Sequence, residues 1–207
     1  FLAWGLLELY AADFRAAHLA AAIDLVRVLA ADFRDSVRGG FYHGPPGGDP
    51  RIVRRTEVGD GVIPSAQSVL LHVLLRLERL TAESAYGRLA GEILAVCPPD
   101  AERQPIAFSF FLTAGSFRVG PAAEIVVCGR RGSADTGAML STLRARFLPN
   151  VTVIFRGEGE GEEIDRIAPF AASCRMVGSR ATAYACRDFT CSLPTNDPAA
   201  MIDRLGS

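Results

Sequence analysis

The hydrophobic period changes once along this chain, and that change limits what it can fold into more than any other feature. Up to about residue 118, apolar residues recur at helical spacing. Leu19, Ala22, Ile23, Val26, Ala30 and Phe33 form one stripe, with Asp24, Arg27 and Asp32 elsewhere. Residues 1–14 are apolar nearly all round, which predicts a helix covered on most sides. Pro64 suits a first helical turn, and the run that follows is dense in Leu and Val up to Leu80, so that helix is expected to be buried on both sides. Thr81 is the expected cap of a fourth helix, in which Ala85, Leu89, Ile93 and Val96 align, and a fifth begins near Pro105. From residue 124 the pattern becomes short apolar runs, EIVVC, VTVIF and ATAYAC, separated by helical stretches at 136–147 and 163–172. Strands alternating with helices imply right-handed crossovers and parallel pairing. The expected organisation is helical hairpins over 1–118 and a small α/β lobe over 119–207, with about three mostly parallel strands.

Between the second and third helical patterns lies a long irregular stretch, residues 35–65. A connection of this length inside a compact domain usually carries function. It collects glycines, aromatics, arginines and two carboxylates, Glu57 and Asp60, just before a buried helix. Two carboxylates so placed are candidates for a general acid and base, with Phe41, Tyr42 or Trp4 to stack on a ring-shaped ligand and His43, Arg54 and Arg55 as further contacts. The competing reading has Asp60 capping the helix and Glu57 paired with Arg54 or Arg55. His43 is either an acid–base group or a solvated loop histidine, and Gly39-Gly40 fits a tight turn after a helix. His18 and His72 sit in helical patterns and are expected to be structural.

Composition removes several classes of function. The net charge is −1, which gives no reason to expect nucleic acid as a partner. All 22 basic residues are arginine, so the chain has no lysine for a Walker loop, a Schiff base or pyridoxal attachment. No apolar run approaches the ~20 residues needed to span a bilayer, and no membrane partner is expected. Phe1 is followed at once by a helical pattern, without a signal-type leader, and reads as the start of a fragment or processed chain. Five cysteines without such a leader suit a reducing cytoplasm better than a disulfide scaffold. The turn at 129–133 (GRRGS) follows a strand and precedes a helix. It is expected to be a plain link capped by Ser133 or Asp135, the alternative being an anion site on its amides and arginines.

Two stretches resemble a known family. One is GGFY at 39–42, followed by Val53, Arg54, Glu57, Asp60, Gly61, Pro64, Ser65 and a helix ending LLRLERLT; the other is the tail TAYACRDFTCSLPTNDP at 182–198. Together with EIVVCG and RARFLPN, they resemble the C-terminal part of the spermatogenesis-associated protein 20 family, over nearly the whole chain. The resemblance implies a thioredoxin-like domain upstream and, here, a fragment of an (α/α)6 toroid of the six-hairpin glycosidase or N-acylglucosamine epimerase kind. It implies ligand groups at loop ends, a sugar-like small molecule as partner, and glycosidase- or epimerase-like chemistry. This chain departs from the family pattern at Thr56, Gly59, Ala66 and Gln67.

Cys186 and Cys191 are too far apart for C-x-x-C, and no second pair stands at zinc spacing. They are read as buried structural thiols or as a redox relay with the upstream domain, a metal site with Cys128 and Cys174 being a third possibility. No metal and no cofactor is expected. The leading expectation is a carbohydrate-active or carbohydrate-binding protein of the cytoplasm. The alternatives are a scaffold serving a thioredoxin-like domain in thiol redox work, and an inactive remnant.

Overall fold

The structure is a computed structural model that describes all residues except Gly48, Pro50, Ile52 and Ser207. The chain divides into two compact units, one of Phe1–Glu78 with Glu83–Val119, the other of Arg79–Ala82 with Gly120–Ser207.

The first unit is helical. It holds α1 (Leu2–Asp13), α2 (Ala16–Asp32), α3 (Ala66–Thr81, as far as Glu78), α4 (Ser84–Ala95), the short α5 (Asp100–Arg103), a 3-10 turn (Pro105–Phe108) and α6 (Ser109–Val119). Phe14 ends α1 in the left-handed region, φ 55°, with its N–H on the Tyr10 carbonyl, and α1 then packs on α2. Leu19, Ala22, Ile23 and Val26 of the expected α2 stripe are buried. On α3, Val69, Leu70, Leu71, Val73, Leu74, Leu75 and Leu77 are all buried, and full burial of each such side chain is worth about 1.5–3 kcal/mol. Two expectations change. The first helix buries Ala3, Leu7 and Tyr10 but leaves Leu2 and Leu9 exposed. Thr81 is the last residue of α3 and does not occupy the cap position of α4; Glu83 precedes α4, which buries Tyr86, Ala90 and Ile93.

The second unit is built on a sheet of β1 (Ala123–Gly129), β2 (Val151–Gly157), β3 (Thr182–Arg187) and β4 (Thr190–Cys191), in the order β2-β1-β3-β4. Three helices complete it: α7 (Ala134–Arg144), α8 (Gly161–Ile167) and α9 (Pro198–Gly206). The central strand, β1, is buried along its whole length. The expected toroid fragment with a three-stranded, mostly parallel lobe is corrected here. The helical character stands, but the sheet has four strands and is mixed: β1–β2 is parallel, β1–β3 and β3–β4 antiparallel. The 11-residue α7 carries the chain back between the two parallel strands. After β2 comes the shorter, 7-residue α8, and no such return is made. The chain instead passes through the Pro169–Ala171 turn and a bridge between Val177 and Arg180, and β3 starts at the end of the sheet where β2 finished, on the other side of β1 and in the opposite direction.

Candidate functional site

The loop after α2 is held by its own backbone and by one side chain of α3. Asp35 and Gly40 bond through Asp35 N–H, Gly39 N–H returns to the Asp35 carbonyl, and the Asp35 carboxylate accepts the N–H groups of Val37 and Arg38. Those contacts, the Arg38 amide foremost, hold the Asp35 carboxyl below its ordinary range. Gly39 and Gly40 have φ of +84° and +75°, the region open to glycine at no steric cost. A Cβ on Gly40 would also sit 2.8 Å from the Gln67 amide nitrogen. That amide accepts the Phe41 N–H at 3.1 Å and donates to the Phe41 carbonyl at 3.0 Å, fixing the GGFY stretch against α3.

Beneath this stretch lies a cavity of about 120 Å³ whose wall includes Phe33, Phe41, Tyr42, His43, Glu57 and Gln67, with apolar side chains of α2 and α3 as its floor. Glu57 is exposed and makes no hydrogen bond or ion pair among the described residues. His43 is also exposed; its backbone N–H reaches the Arg55 carbonyl at 2.8 Å and ties the two arms of the loop together. Arg54 is committed to structure. It donates to the carbonyls of Gly44 and Asp32, and its guanidinium lies 4.1 Å from the Tyr42 ring centroid. Arg55 instead lines a broader, more open depression of about 630 Å³ together with Arg51, Arg54 and His43.

Asp60 has a different office from Glu57. One oxygen accepts the Ser65 N–H at 2.9 Å, and the other accepts Phe110 and Phe111 N–H at 2.8 and 3.1 Å. It therefore ties the loop to the starts of both α3 and α6, while Ser65 itself caps α3 through its hydroxyl and the Ser68 N–H. Asp60 and Trp4 are both absent from the described lining of the cavity. Trp4 packs with Phe110 and His72, at 5.1 and 6.0 Å between ring centroids, and burial pushes His72 down to about 4, which keeps it neutral. His18 pairs with Asp13.

The second unit holds another constellation. β3 and β4 form a hairpin whose two-residue turn, Asp188-Phe189, has both φ angles positive, 46° and 64°. That is the combination a primed hairpin turn demands. Cys186 and Cys191 face each other across the hairpin and are joined by a disulfide, while Cys97, Cys128 and Cys174 are free thiols. Cys186 also pairs across the sheet with Glu124, and Glu124 with Thr152. Paired residues project from the same face, so Thr152, Glu124, Cys186 and Cys191 stand in one row. Glu124 is 0% exposed; its carboxylate accepts from Arg79 at 3.1 Å and from the Phe189 N–H at 3.4 Å. Burial raises its carboxyl above the ordinary range, against the opposing pull of Arg79. Burial also pushes the Cys128 thiol up to about 12. No group of three or more His, Cys, Asp or Glu side chains among the described residues could hold a metal. In the 129–133 turn Arg130 pairs with Glu158 and Arg131 with Glu160, and Ser133 precedes α7.

No family model matches the chain. Over 202 residues, 97% of this chain, it is 31% identical to spermatogenesis-associated protein 20 of Homo sapiens and, over the same length, to that of Rattus norvegicus. The chain belongs to the spermatogenesis-associated protein 20 family. It spans 26% of the length of these relatives and corresponds to their C-terminal part. In this member of the family, the 182–198 stretch forms β3, the disulfide hairpin and a return along the outer edge of β3, where Ser192 and Thr195 bond back to Ala185 and Ala183. Among the described residues no helix is long and apolar enough to cross a membrane.

Two residues important to these sites escape a reading by motif. Glu124 is a lone polar side chain at the start of an apolar run, and Gln67 stands beside Ser68 just ahead of one. A buried polar group requires a partner, so their position was the available signal.

Proposed function

We propose that this chain carries a binding site for a small sugar-like molecule, in the cavity beneath the loop between α2 and α3. The observation that carries the reading is Glu57, a carboxylate without a partner among the described residues, at the rim of a cavity walled by Phe41 and Tyr42. A sugar offers matching chemistry: hydroxyls that donate to a carboxylate and a C–H face that packs on aromatic rings. The cavity, at about 120 Å³, is far below the ~300–1,000 Å³ of drug-sized pockets and suits a single ring. Binding is favoured over hydrolysis. Two-carboxylate hydrolysis needs a second available acid, and Asp60, bound to three backbone amides, is not free to serve. The setting that fits is the cytoplasm. A titration of the full-length protein against a panel of monosaccharides and sugar phosphates, followed by heat, tests the reading. At least one sugar is expected to bind, and Glu57→Gln to weaken it about tenfold, in line with ~1.5–3 kcal/mol for a hydrogen bond to a charged group. Binding that ignores Glu57→Gln, or no binding of any sugar, would overturn it.

A second reading rests on a separate observation, the Cys186–Cys191 bond. Disulfides in a reducing compartment are mostly transient and exchange-active. The reading is a scaffold with a thiol redox role, whose partner is the thioredoxin-like domain expected upstream.

A further inference from the structure

Within the thiol reading, we propose that the Cys186–Cys191 pair is a thiol–disulfide exchange site for a dithiol and that Glu124 is its internal proton carrier. The inference depends on that reading and adds to it the attacked sulfur, the reactant class and the residue that moves the proton.

The two sulfurs are not equivalent. Cys186 is 0% exposed, whereas Cys191 is half-buried on a two-residue edge strand. An incoming thiolate can reach only the Cys191 sulfur. As the new S–S bond to Cys191 forms, the Cys186–Cys191 bond breaks and its electron pair passes to Cys186. A thiolate there would be a bare charge in an apolar interior, which is costly unless it is neutralised. The carboxyl placed to do so is Glu124, directly opposite Cys186 on the neighbouring strand and on the same face. Its desolvation favours the protonated, donating form, and Arg79 receives the carboxylate once the proton has gone.

The remaining steps balance. The second thiol of the reactant attacks the reactant's own sulfur in the mixed disulfide, and Cys191 leaves as a thiolate that takes up a proton. Glu124 regains from solvent the proton that the first thiol lost on ionising. The reactant is oxidised to a disulfide, and the protein disulfide is reduced to two thiols.

The groups facing Glu124 allow this use. Arg79 comes from the end of α3 and Asp188 from the hairpin turn. Thr152 on β2 has a buried hydroxyl with no partner among the described residues. Val126 and Tyr184 lie two positions along on the same face and Cys128 four, and the Tyr184 hydroxyl is taken by the Arg175 carbonyl. No other carboxylate adjoins Cys186 in the row.

Dithiothreitol serves as the dithiol, with the native full-length protein, and alkylated thiols at these cysteines are counted by mass as a function of time and pH. A bonded pair that opens under native conditions is expected. The logarithm of its rate should rise with pH less steeply than the reagent's own ionisation requires, because the acid is lost as the thiolate is gained. Glu124→Gln is expected to slow opening about a hundredfold, the low end of general acid–base contributions, and to restore a slope of one per pH unit; Glu124→Asp keeps part of the rate. Two free thiols in the native protein, or a bond that never opens without denaturant, would sink the thiol reading itself. A bond that opens in wild type with a slope of one throughout, or with a profile that Glu124→Gln leaves unchanged, would sink only the role of Glu124. The wild-type profile decides this even where the variant does not fold.

Discussion

Glu57 and Glu124 are the same side chain in opposite surroundings. Glu57 stands on a loop of the helical unit, exposed, with no partner among the described residues. Glu124 is the second residue of the central strand of the sheet unit, wholly buried, with an arginine and a backbone amide on its oxygens. Water solvates the first and leaves it available to a ligand. The second has lost its water, so its protonation is set by what surrounds it. A carboxylate that contributes little to folding is free for recognition, whereas one embedded in the fold can act only through its immediate neighbours.

The largest effect expected of this contrast is at Arg79. Arg79→Met leaves Glu124 buried without its cation and should destabilise the protein by about 3–5 kcal/mol near neutral pH, as read by urea unfolding. The sign with pH follows from linkage. A carboxyl whose folded pKa lies above its unfolded value weakens the fold once pH exceeds the folded value, and that cost disappears below the unfolded one. The loss in Arg79→Met should therefore be larger at pH 8 than at pH 5. Equal losses at both would mean that Glu124 does not titrate in this way. A smaller effect is expected at Asp60. Asp60→Ala strands three backbone amides at the starts of α3 and α6 and should cost about 2–3 kcal/mol in the same measurement. The smallest belongs to Glu57. Glu57→Gln should leave stability within ~0.5 kcal/mol, the range for surface sites without special contacts. A loss as large as that of Asp60→Ala would erase the distinction drawn between the two loop carboxylates.

Much of the fold was legible because burial leaves a pattern. The Leu/Val run after Pro64 is α3 to within a residue, and EIVVC and VTVIF lie inside β1 and β2. What the pattern does not carry is direction. An apolar run reads alike for a parallel and an antiparallel strand, so β3 entered the expectation on the wrong terms. β4 escaped because it is two residues long and its turn is Asp-Phe rather than a glycine-bearing pair. Within the loop, Phe41, Tyr42, His43 and Glu57 lie along one cavity, but Glu57 and Asp60, three residues apart, have unlike tasks. Irregular backbone gives no periodicity from which to tell such side chains apart; only their hydrogen bonds do so.

The amide of Gln67 mimics, for a single residue, the edge of a neighbouring strand, offering Phe41 both an acceptor and a donor. One flexible side chain thus sets the register between an irregular segment and a rigid rod. Shortening it by a methylene would release two main-chain groups at once and let the aromatic wall slide along α3, so the shape of the recess is encoded as much at position 67 as in the rings that line it.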